Sequence, residues 1–197
     1  MPRRSAAQVE GDRDQTLRAA VDVASVVGLE GLTIGRLAER LGMSKSGLVG
    51  RFGSKEQLQL ATLERAAAMF REAVYEPAVT AAPGRARLLA ICESWIDHLG
   101  SSCFPGGCFL TTASVEFDGR EGPVRDAVEL TLGRWLRVLE AEAAVAVAAG
   151  ELARDTDPAQ VAFTLNALAM GTNCAYQLNR RASALERGRR AMLSVLD

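Results

Sequence analysis

Two short helical patterns joined by a glycine turn, within residues 33–57, constrain this chain more than any other feature. Thr33 precedes the first pattern in the position of a helix N-cap, and Ser44 precedes the second, which begins small, polar and basic. The apolar positions are Ile34, Leu37, Ala38 and Leu41 in the first pattern and Leu48 and Phe52 in the second. Because a helix-turn-helix of this kind places its second helix in the major groove of DNA, we expect a DNA-binding unit over about residues 33–52.

Helical spacing of apolar residues also runs through the rest of the chain, with almost no period-two alternation. The pattern predicts an all-α fold of about nine helices, with the helix-turn-helix near the N-terminus and a separate apolar helical body after it. We place the DNA-binding domain at residues 1–54 and the body at residues 55–197. Besides 34–41 and 45–52, the predicted helices span about 14–27, 55–75, 85–99, 108–117, 123–149, 158–178 and 183–196.

Charge is unevenly distributed, although the whole chain of 197 residues carries a formal net charge of only −1. Residues 1–55 hold nine Lys or Arg and six Asp or Glu, a net of +3, which leaves −4 for the remainder. A basic front on an acidic body favours a nucleic-acid-binding head. A chance fluctuation of surface charge also accounts for so small a difference.

The cysteine content and the start of the chain bear on the compartment. The spacing of the cysteines fits no metal-binding motif. Residues 1–12 are polar and unlike a signal peptide, and no apolar run is long enough to cross a bilayer without polar interruption. We therefore expect free thiols in a reducing cytoplasm, no membrane segment, no metal and no cofactor. The cysteines are Cys92, Cys103, Cys108 and Cys174.

Over residues 13–60 the sequence resembles the TetR family of bacterial transcriptional regulators. The resemblance implies a homodimer with three-helix DNA-binding heads, a fourth helix that links head to body, and a body that binds a small effector. It also implies that the last two helices, about 158–196, form a four-helix bundle with those of the partner subunit. The residues that carry the resemblance are Gly28, Gly31-Leu32-Thr33-Ile34, Leu37-Ala38, Leu41-Gly42-Met43-Ser44, Gly47-Leu48, Phe52 and Ser54-Lys55-Glu56.

The second helix of the motif departs from the family pattern. Relatives commonly carry an aromatic residue after the leucine, whereas this chain has Val49, Gly50 and Arg51. Glycine inside a helix costs about 1 kcal/mol relative to alanine, so this helix is expected to be intrinsically weak. We predict either that it is loosely ordered without DNA, or that Gly50 lets the backbone approach the bases closely.

The DNA-contact candidates divide by role, because phosphate contacts position a protein and base contacts specify the sequence. We assign Thr33, Ser44 and Lys55 to phosphates, since they lie at helix starts. We assign Lys45, Ser46 and Arg51 to the groove, where Arg51 is able to grip a guanine edge in two places, and Gly50 to close backbone approach. The alternative, that these are helix caps and solvated charges, stays open. Arg3 and Arg4 form either a minor-groove arm or a disordered tail.

A mostly apolar effector cavity is expected among the body helices, from about residue 58 to residue 176. Each aromatic in this region is also a candidate for ordinary core packing. His98 is expected to be partly exposed or hydrogen-bonded, and Phe163 is a further aromatic candidate. The predicted ligand-binding residues are Phe70, Trp95, Phe109, Thr112, Trp135, Asn166, Asn173 and Tyr176.

The last two predicted helices carry residues suited to a two-fold contact between subunits. Helix 158–178 is apolar nearly all round and is expected to be buried on two sides. Packing within one chain is the alternative. The contact candidates are Ala162, Ala169, Gly171 and Ala175 on the first helix and Leu185, Gly188, Met192 and Val195 on the second.

These features predict a transcriptional repressor that a small, largely apolar effector releases from a palindromic double-stranded DNA operator, by a shift of helix 55–75. A ligand-responsive activator is an alternative, because the sequence does not set the sign of regulation. A redox or electrophile sensor built on Cys103 and Cys108 is another, although no Lys, Arg or His adjoins either cysteine. An enzyme is disfavoured, since the chain has no Gly-x-Ser-x-Gly elbow, phosphate loop or dinucleotide fingerprint.

Overall fold

The computed structural model describes residues 6–197, with side chains from residue 11 onward; Arg3 and Arg4 lie outside the described residues. Nine α-helices and one short 3-10 helix, Glu76–Thr80, make up this part of the chain, which contains no strand. The all-α prediction is confirmed. The helices are α1 (Ala6–Val27), α2 (Ile34–Leu41), α3 (Lys45–Phe52), α4 (Lys55–Val74), α5 (Arg85–Gly100), α6 (Phe109–Phe117), α7 (Pro123–Ala148), α8 (Pro158–Asn179) and α9 (Ala182–Ser194).

The predicted helix ends agree with the structure to within about two residues, except at the first helix. That helix begins at Ala6 rather than near residue 14. The prediction started at the first regular apolar spacing, whereas the preceding Ala, Gln and Glu residues are good helix formers without such spacing in the sequence. The 3-10 helix at Glu76–Thr80, with Pro77 in its first turn, is not predicted either.

Packing divides the described chain into two compact units. The head unit comprises the residues up to Ala67 together with Phe104–Val128, and the body unit comprises Ala68–Cys103 together with Glu129–Asp197. The sequence does not predict that residues 104–128 belong to the head unit. The predicted domain boundary between residues 54 and 55 stays a prediction.

The head unit is held by apolar residues at helical spacing. On α1, Ala20, Val21 and Ala24 are buried, and this helix packs on α2 and α6. Helix α2 in turn packs on α3. These apolar side chains are buried because an apolar stripe on one side of a helix is stabilised only when another element covers it. The fully buried leucines of this unit include Leu29, Leu32, Leu37, Leu48, Leu58 and Leu63.

The body unit packs α5 against α8 and α9. A buried ion pair lies beside this packing: Arg87 Nη1 on α5 donates to Glu142 Oε1 on α7 at 2.9 Å. The other oxygen of Glu142 accepts from the backbone N–H of Gly84 at 2.8 Å, so both carboxylate oxygens have partners. None of the described helices has the length and apolar character needed to cross a membrane.

Candidate nucleic-acid interface

Side-chain caps fix the start of both helices in the helix-turn-helix. Thr33 Oγ1 accepts from the N–H of Arg36 at 3.1 Å, and Ser44 Oγ accepts from the N–H of Gly47 at 3.2 Å. Between the helices Gly42 has φ +62°, a left-handed conformation in which its backbone N–H donates to the carbonyl oxygens of Ala38 and Glu39 in the last turn of α2. The predicted capping roles of Thr33 and Ser44 are confirmed.

Helix α3 buries Leu48 and Phe52 and exposes its remaining side chains. At 3.6 residues per turn, Ser46 and Gly50 lie farthest from the two buried residues and form the centre of the exposed face. The Ser46 hydroxyl lies 3.2 Å from the Ser44 hydroxyl. Because the side chain of Ser46 is small and Gly50 has none, another molecule is able to approach the helix backbone closely here.

Lys45 and Val49 border one edge of the same exposed face. Val49 is 46% exposed although it is apolar. It is not among the predicted contact residues, because the sequence pattern identified only charged, hydroxyl and glycine positions. Its place one residue after the buried Leu48 is the signal that predicts its exposure.

Arg51 and Lys55 make contacts with other residues of the head unit. Arg51 Nη1 donates to Thr16 Oγ1 on α1 at 3.1 Å, at the other edge of α3. Lys55 Nζ forms an ion pair with Glu30 Oε1 at 2.5 Å. The sequence analysis placed these two cations on DNA and did not predict either intramolecular partner.

Glu30 faces cations and donors from α4 and from the loop after α6. Besides Lys55, the Gln59 side chain donates to it at 3.2 Å, and Arg120 lies 3.8 Å away. The hydrogen bonds from Lys55 and then from Gln59 hold the pKa of the Glu30 carboxyl below its ordinary value. The turn after α1 is therefore tied to the start of α4.

Glu116 on α6 holds the same turn from another side. Its carboxylate accepts from the backbone N–H of Leu29 at 2.7 Å and from that of Glu30 at 3.1 Å. The preceding Gly28 has φ +82°, and a Cβ at this position would overlap the Glu116 carboxylate. The turn thus requires glycine both for its conformation and for the close carboxylate.

Four aromatic side chains of the body unit form one buried cluster, which we call the indole cluster: Phe70, Trp95, His98 and Trp135. The Phe70 ring centroid lies 5.7 Å from that of Trp95 and 5.0 Å from that of Trp135. The two tryptophan ring centroids are 5.1 Å apart with an interplanar angle of 83°, the favourable edge-to-face geometry. Three of the predicted ligand residues are thus brought together.

The other predicted ligand residues are positioned by different contacts. Phe109 and Thr112 belong to the head unit, where Phe109 packs on Phe104 with ring centroids 6.1 Å apart. The Asn166 amide lies 3.4 Å from the sulfur of Met170, and the Tyr176 ring lies beneath the Arg180 guanidinium. Asn173 is buried. Their assignment to an effector site stays a prediction.

His98 differs from the expected partly exposed residue, since it is buried in the indole cluster. Its ring packs edge-on against Phe70, with centroids 5.4 Å apart. Burial disfavours the charged imidazolium and lowers the pKa of His98 to about 4. The side chain is therefore neutral at physiological pH.

The cysteine side chains have different environments. Burial raises the pKa of the Cys92 thiol to about 12 and also raises the pKa of the Cys108 thiol, so neither is a ready thiolate near neutral pH. Cys103 is half-buried and Cys174 is exposed on α8. Within residues 6–197, no group of three or more His, Cys, Asp or Glu side chains is arranged to hold a metal ion.

Helix α8 is buried along one face and exposed along the other in the single chain, and the expected burial of the second face against a partner subunit stays a prediction. Ala162 and Ala169 lie on the buried face. Phe163, expected as a cavity residue, is 64% exposed, and Leu178 is 82% exposed. The exposed stripe, which we call the α8 stripe, consists of Phe163, Ala167, Gly171, Cys174, Ala175 and Leu178.

The predicted contact face of the last helix packs within its own chain. Met192 and Gly188 on α9 are buried, and a Cβ on Gly188 would overlap the Thr172 side chain of α8. Leu185 lies against Gly100 of α5. These residues therefore hold α9 on α5 and α8. This face makes contacts within its own chain, which was the alternative to a contact between subunits.

An open groove of about 540 Å³ lies between α5 and α9. Arg189 is its cation, and this guanidinium already pairs with Glu93 and with Asp97, 3.1 Å away. None of the groove residues belongs to the indole cluster. The groove offers no unpaired charge that would select a ligand.

Two family models match the chain. The model described as "Bacterial regulatory proteins, tetR family" matches residues 17–62, which contain the helix-turn-helix. The model described as "Tetracyclin repressor-like, C-terminal domain" matches residues 84–192, more than half of the chain. No curated protein matches the chain.

Solved structures agree with these matches. A TetR transcriptional regulator from Chloroflexus aurantiacus is 22% identical with a TM-score of 0.86, over 94% of this chain and 93% of that one. A TetR-family regulator from Cytophaga hutchinsonii is 20% identical with a TM-score of 0.83, over 99% and 96%. A cysteine mutant of the TetR-family regulator CifR, complexed with 26-base-pair operator DNA, is 26% identical with a TM-score of 0.78, over 98% of each chain. The chain belongs to the TetR family of bacterial regulatory proteins and is a DNA-binding transcriptional regulator rather than an enzyme.

Proposed function

We propose that this regulator binds a palindromic operator as a homodimer, through α3 of each protomer, and represses transcription until a small effector releases it. The observation that carries the proposal is the exposed polar face of α3, opposite the buried Leu48 and Phe52. A helix anchored by apolar residues on one side and polar on the other fits the major groove, which is about 12 Å wide. On this face and its edges lie Lys45, Ser46, Gly50 and Arg51.

Phosphate contacts set the register of the helix on DNA. Thr33 Oγ1 and Ser44 Oγ each accept an amide N–H of their own helix, so the hydroxyl proton remains available to donate to a phosphate oxygen. Lys55 contributes at the start of α4, where it shares its ammonium between Glu30 and a phosphate. An ammonium has three donors, so one ion pair leaves donors for the DNA.

Base readout falls to residues at the centre and edges of the exposed face. Ser46 and Gly50 let the backbone approach the base edges, and Lys45 donates at the rim. Arg51 exchanges its hydrogen bond with Thr16 for a bidentate contact to guanine, which is stronger than a single bond to a neutral hydroxyl. Val49 adds an apolar surface of the kind that contacts a thymine methyl group.

A second copy of the chain is the proposed occupant of the α8 stripe. Its members are apolar or small, and its two largest side chains, Phe163 and Leu178, are mostly exposed in the single chain. A contiguous apolar patch of this kind marks an interaction surface, and the small residues between them permit close helix approach. Two-fold pairing of the stripe supplies the two α3 helices that a palindrome requires.

The effector is proposed to enter the body near the indole cluster. It releases the operator only if it favours the DNA-incompetent state, and a few kcal/mol of differential affinity suffices for that shift. The proposed response is a shift of α4, which carries Phe70, and a change in the spacing of the two heads. Crystal structures with and without effector that show identical head spacing would refute this mechanism, and a promoter–reporter assay separates repression from activation.

Sensing through cysteine is the second candidate, since solved structures of similar regulators include E. coli NemR in a reduced form and cysteine mutants of CifR. In this chain Cys108 is buried with a raised thiol pKa, which makes it a poor nucleophile. Cys103 is the more accessible member of the pair. Retention of effector-dependent release in a Cys103→Ser, Cys108→Ser variant would exclude this candidate. We further propose a cytoplasmic location, where DNA and reduced thiols coexist.

Anisotropy titration of labelled DNA tests whether α3 makes the contacts. Lys45→Ala is expected to weaken binding several-fold and to lower the dependence of log K on log salt by about one. Arg187→Ala on α9 removes the same charge from an exposed site and serves as the control. Equal weakening by both variants would mean that overall charge, and not α3, holds the DNA.

A further inference from the structure

We infer that the indole cluster binds an uncharged, largely apolar effector that presents hydrogen-bond acceptors, such as a ketone or lactone oxygen, to the indole N–H groups of Trp95 and Trp135. The inference rests on the proposed effector site in the body unit. It adds the chemical class of the ligand and names the two donors that select it.

Both indole nitrogens are buried, and Trp95 is 3% exposed and Trp135 8% exposed. Among the side chains described from residue 11 onward and the backbone from residue 6, no acceptor lies within hydrogen-bond distance of either Nε1 atom. A buried donor left unsatisfied costs about 1–3 kcal/mol, and native proteins satisfy the large majority of such groups. Phenylalanine would fill similar space without this cost, so two indoles in one cluster point to an acceptor that arrives from outside the chain.

The two donors are carried by rings that pack against each other. The tryptophan ring centroids are 5.1 Å apart, and each indole also packs edge-on against Phe70. A ligand therefore enters an aromatic wall with a donor on each of two rings. Aromatic contact supplies affinity, while the two N–H groups fix orientation and select for oxygen.

The charge around the cluster favours a neutral ligand. His98 is neutral because burial lowers its pKa to about 4, so it provides no cation for a carboxylate ligand. Glu93 and Asp97, the carboxylates of α5 nearest in sequence to Trp95 and His98, both pair with Arg189. Arg189 offsets one of these two negative charges, and the Asp97 side chain is 75% exposed, so solvent screens the other.

The chain offers a direct readout, because Trp95 and Trp135 are its two tryptophans. All tryptophan fluorescence, and both indole N–H signals in a nitrogen-15 NMR spectrum, come from the indole cluster. The full-length protein without DNA is titrated with three probes of similar size: dibenzyl ketone, 1,3-diphenylpropane and dibenzylammonium. They differ in the central group, which is an acceptor, a methylene or a cation.

Dibenzyl ketone is expected to bind at least about tenfold more tightly than 1,3-diphenylpropane and to move both indole N–H signals downfield, since each donor gains an acceptor. The ammonium probe is expected to bind no more tightly than the hydrocarbon. Trp95→Phe and Trp135→Phe are each expected to reduce the preference for the ketone over the hydrocarbon several-fold, because each removes one donor. Leu130→Ala, at an exposed position on α7, is the control and leaves the preference intact.

Equal binding of ketone and hydrocarbon, tightest binding of the ammonium probe, or no change in either indole signal with any of the three probes would overturn the inference. Indole signals that are already downfield without a probe would do the same, because trapped water would then satisfy the donors. Operator binding is measured separately by anisotropy. Loss of the ketone preference leaves the proposed DNA-binding function standing, and failure to bind an operator leaves the ligand preference standing.

Discussion

The carboxylate of Glu116 accepts a hydrogen bond from the backbone N–H of Leu29, 2.7 Å away and 87 residues earlier in the chain. Leu29 is 1% exposed, so water has little access to its amide. The contact fixes the turn that follows α1 and therefore the direction in which α2 leaves it. Helix α6, which lies outside the helix-turn-helix, thus contributes to the geometry of the DNA-binding head.

Glu116→Ala is expected to lower the free energy of unfolding by about 1–3 kcal/mol, because it leaves the amides of Leu29 and Glu30 without their acceptor. Glu116→Gln keeps an acceptor oxygen and is expected to lose less. Urea denaturation measures both. Glu121→Ala, at an exposed position nearby, is the control. Equal stability of the Glu116→Ala and Glu121→Ala variants would contradict the role assigned to the carboxylate.

Gly50→Ala is expected to stabilise the folded head by up to about 1 kcal/mol, because a Cβ at this position meets no atom within 4 Å. Operator affinity then separates the two hypotheses for this glycine. Tighter binding means that α3 is loosely ordered without DNA, so that binding must pay for ordering it. Weaker binding means that the backbone at Gly50 approaches the bases closely. Gly42→Ala is the contrast, since its Cβ is equally free but φ is +62°. That variant is expected to lose stability. If Gly50→Ala changes operator affinity in neither direction, both hypotheses fail.

His98 makes stability depend on pH in a defined window. Its pKa is about 4 in the folded chain and 6.5 ordinarily, so between these values the unfolded chain binds a proton that the folded chain excludes. The free energy of unfolding is expected to fall by about 3 kcal/mol as pH drops from 6.5 to 4, with no contribution from this group above 6.5. His98→Asn removes the only histidine, and denaturation across this range measures the difference. An unchanged pH profile in the variant would show that His98 is not the titrating group.

Phe163→Glu is expected to convert a dimer into monomers, because it replaces the largest apolar side chain of the α8 stripe with a charge. Sedimentation at micromolar concentration measures the change, and circular dichroism checks that the helices persist. Leu130→Glu, at an exposed apolar position on α7, is the matched control and is expected to leave the dimer intact. Dissociation by the control alone would move the interface to α7.

The sequence predicts the elements that local chemistry controls. Thr33 and Ser44 cap their helices, Gly42 forms the turn, and Leu48 and Phe52 anchor α3, because caps, turns and apolar spacing act over a few residues. The helix-turn-helix and the resemblance it carries rest on such local signals. Leu88, Cys92, Trp95 and Leu99 likewise recur at helical spacing in the sequence, and all four are buried on α5.

Contacts between distant residues are not predicted. Glu116 at the α1–α2 turn, Arg51 on Thr16 and Lys55 on Glu30 join residues that no periodicity relates. The contact face assigned to α9 is wrong for a related reason: Gly188 and Met192 form an apolar stripe whether its partner is another subunit or α8 of the same chain. A stripe shows that a face is buried but does not identify what covers it.

The central claim is sequence-specific DNA binding through α3, and the most direct measurement is selection of bound fragments from random double-stranded DNA by the purified protein, with salt varied. We expect enrichment of a pseudo-palindrome with half-sites about one helical turn apart, and loss of preference at one base pair of each half-site in the Arg51→Ala variant. No enriched sequence, with only weak and strongly salt-dependent binding, would contradict the account.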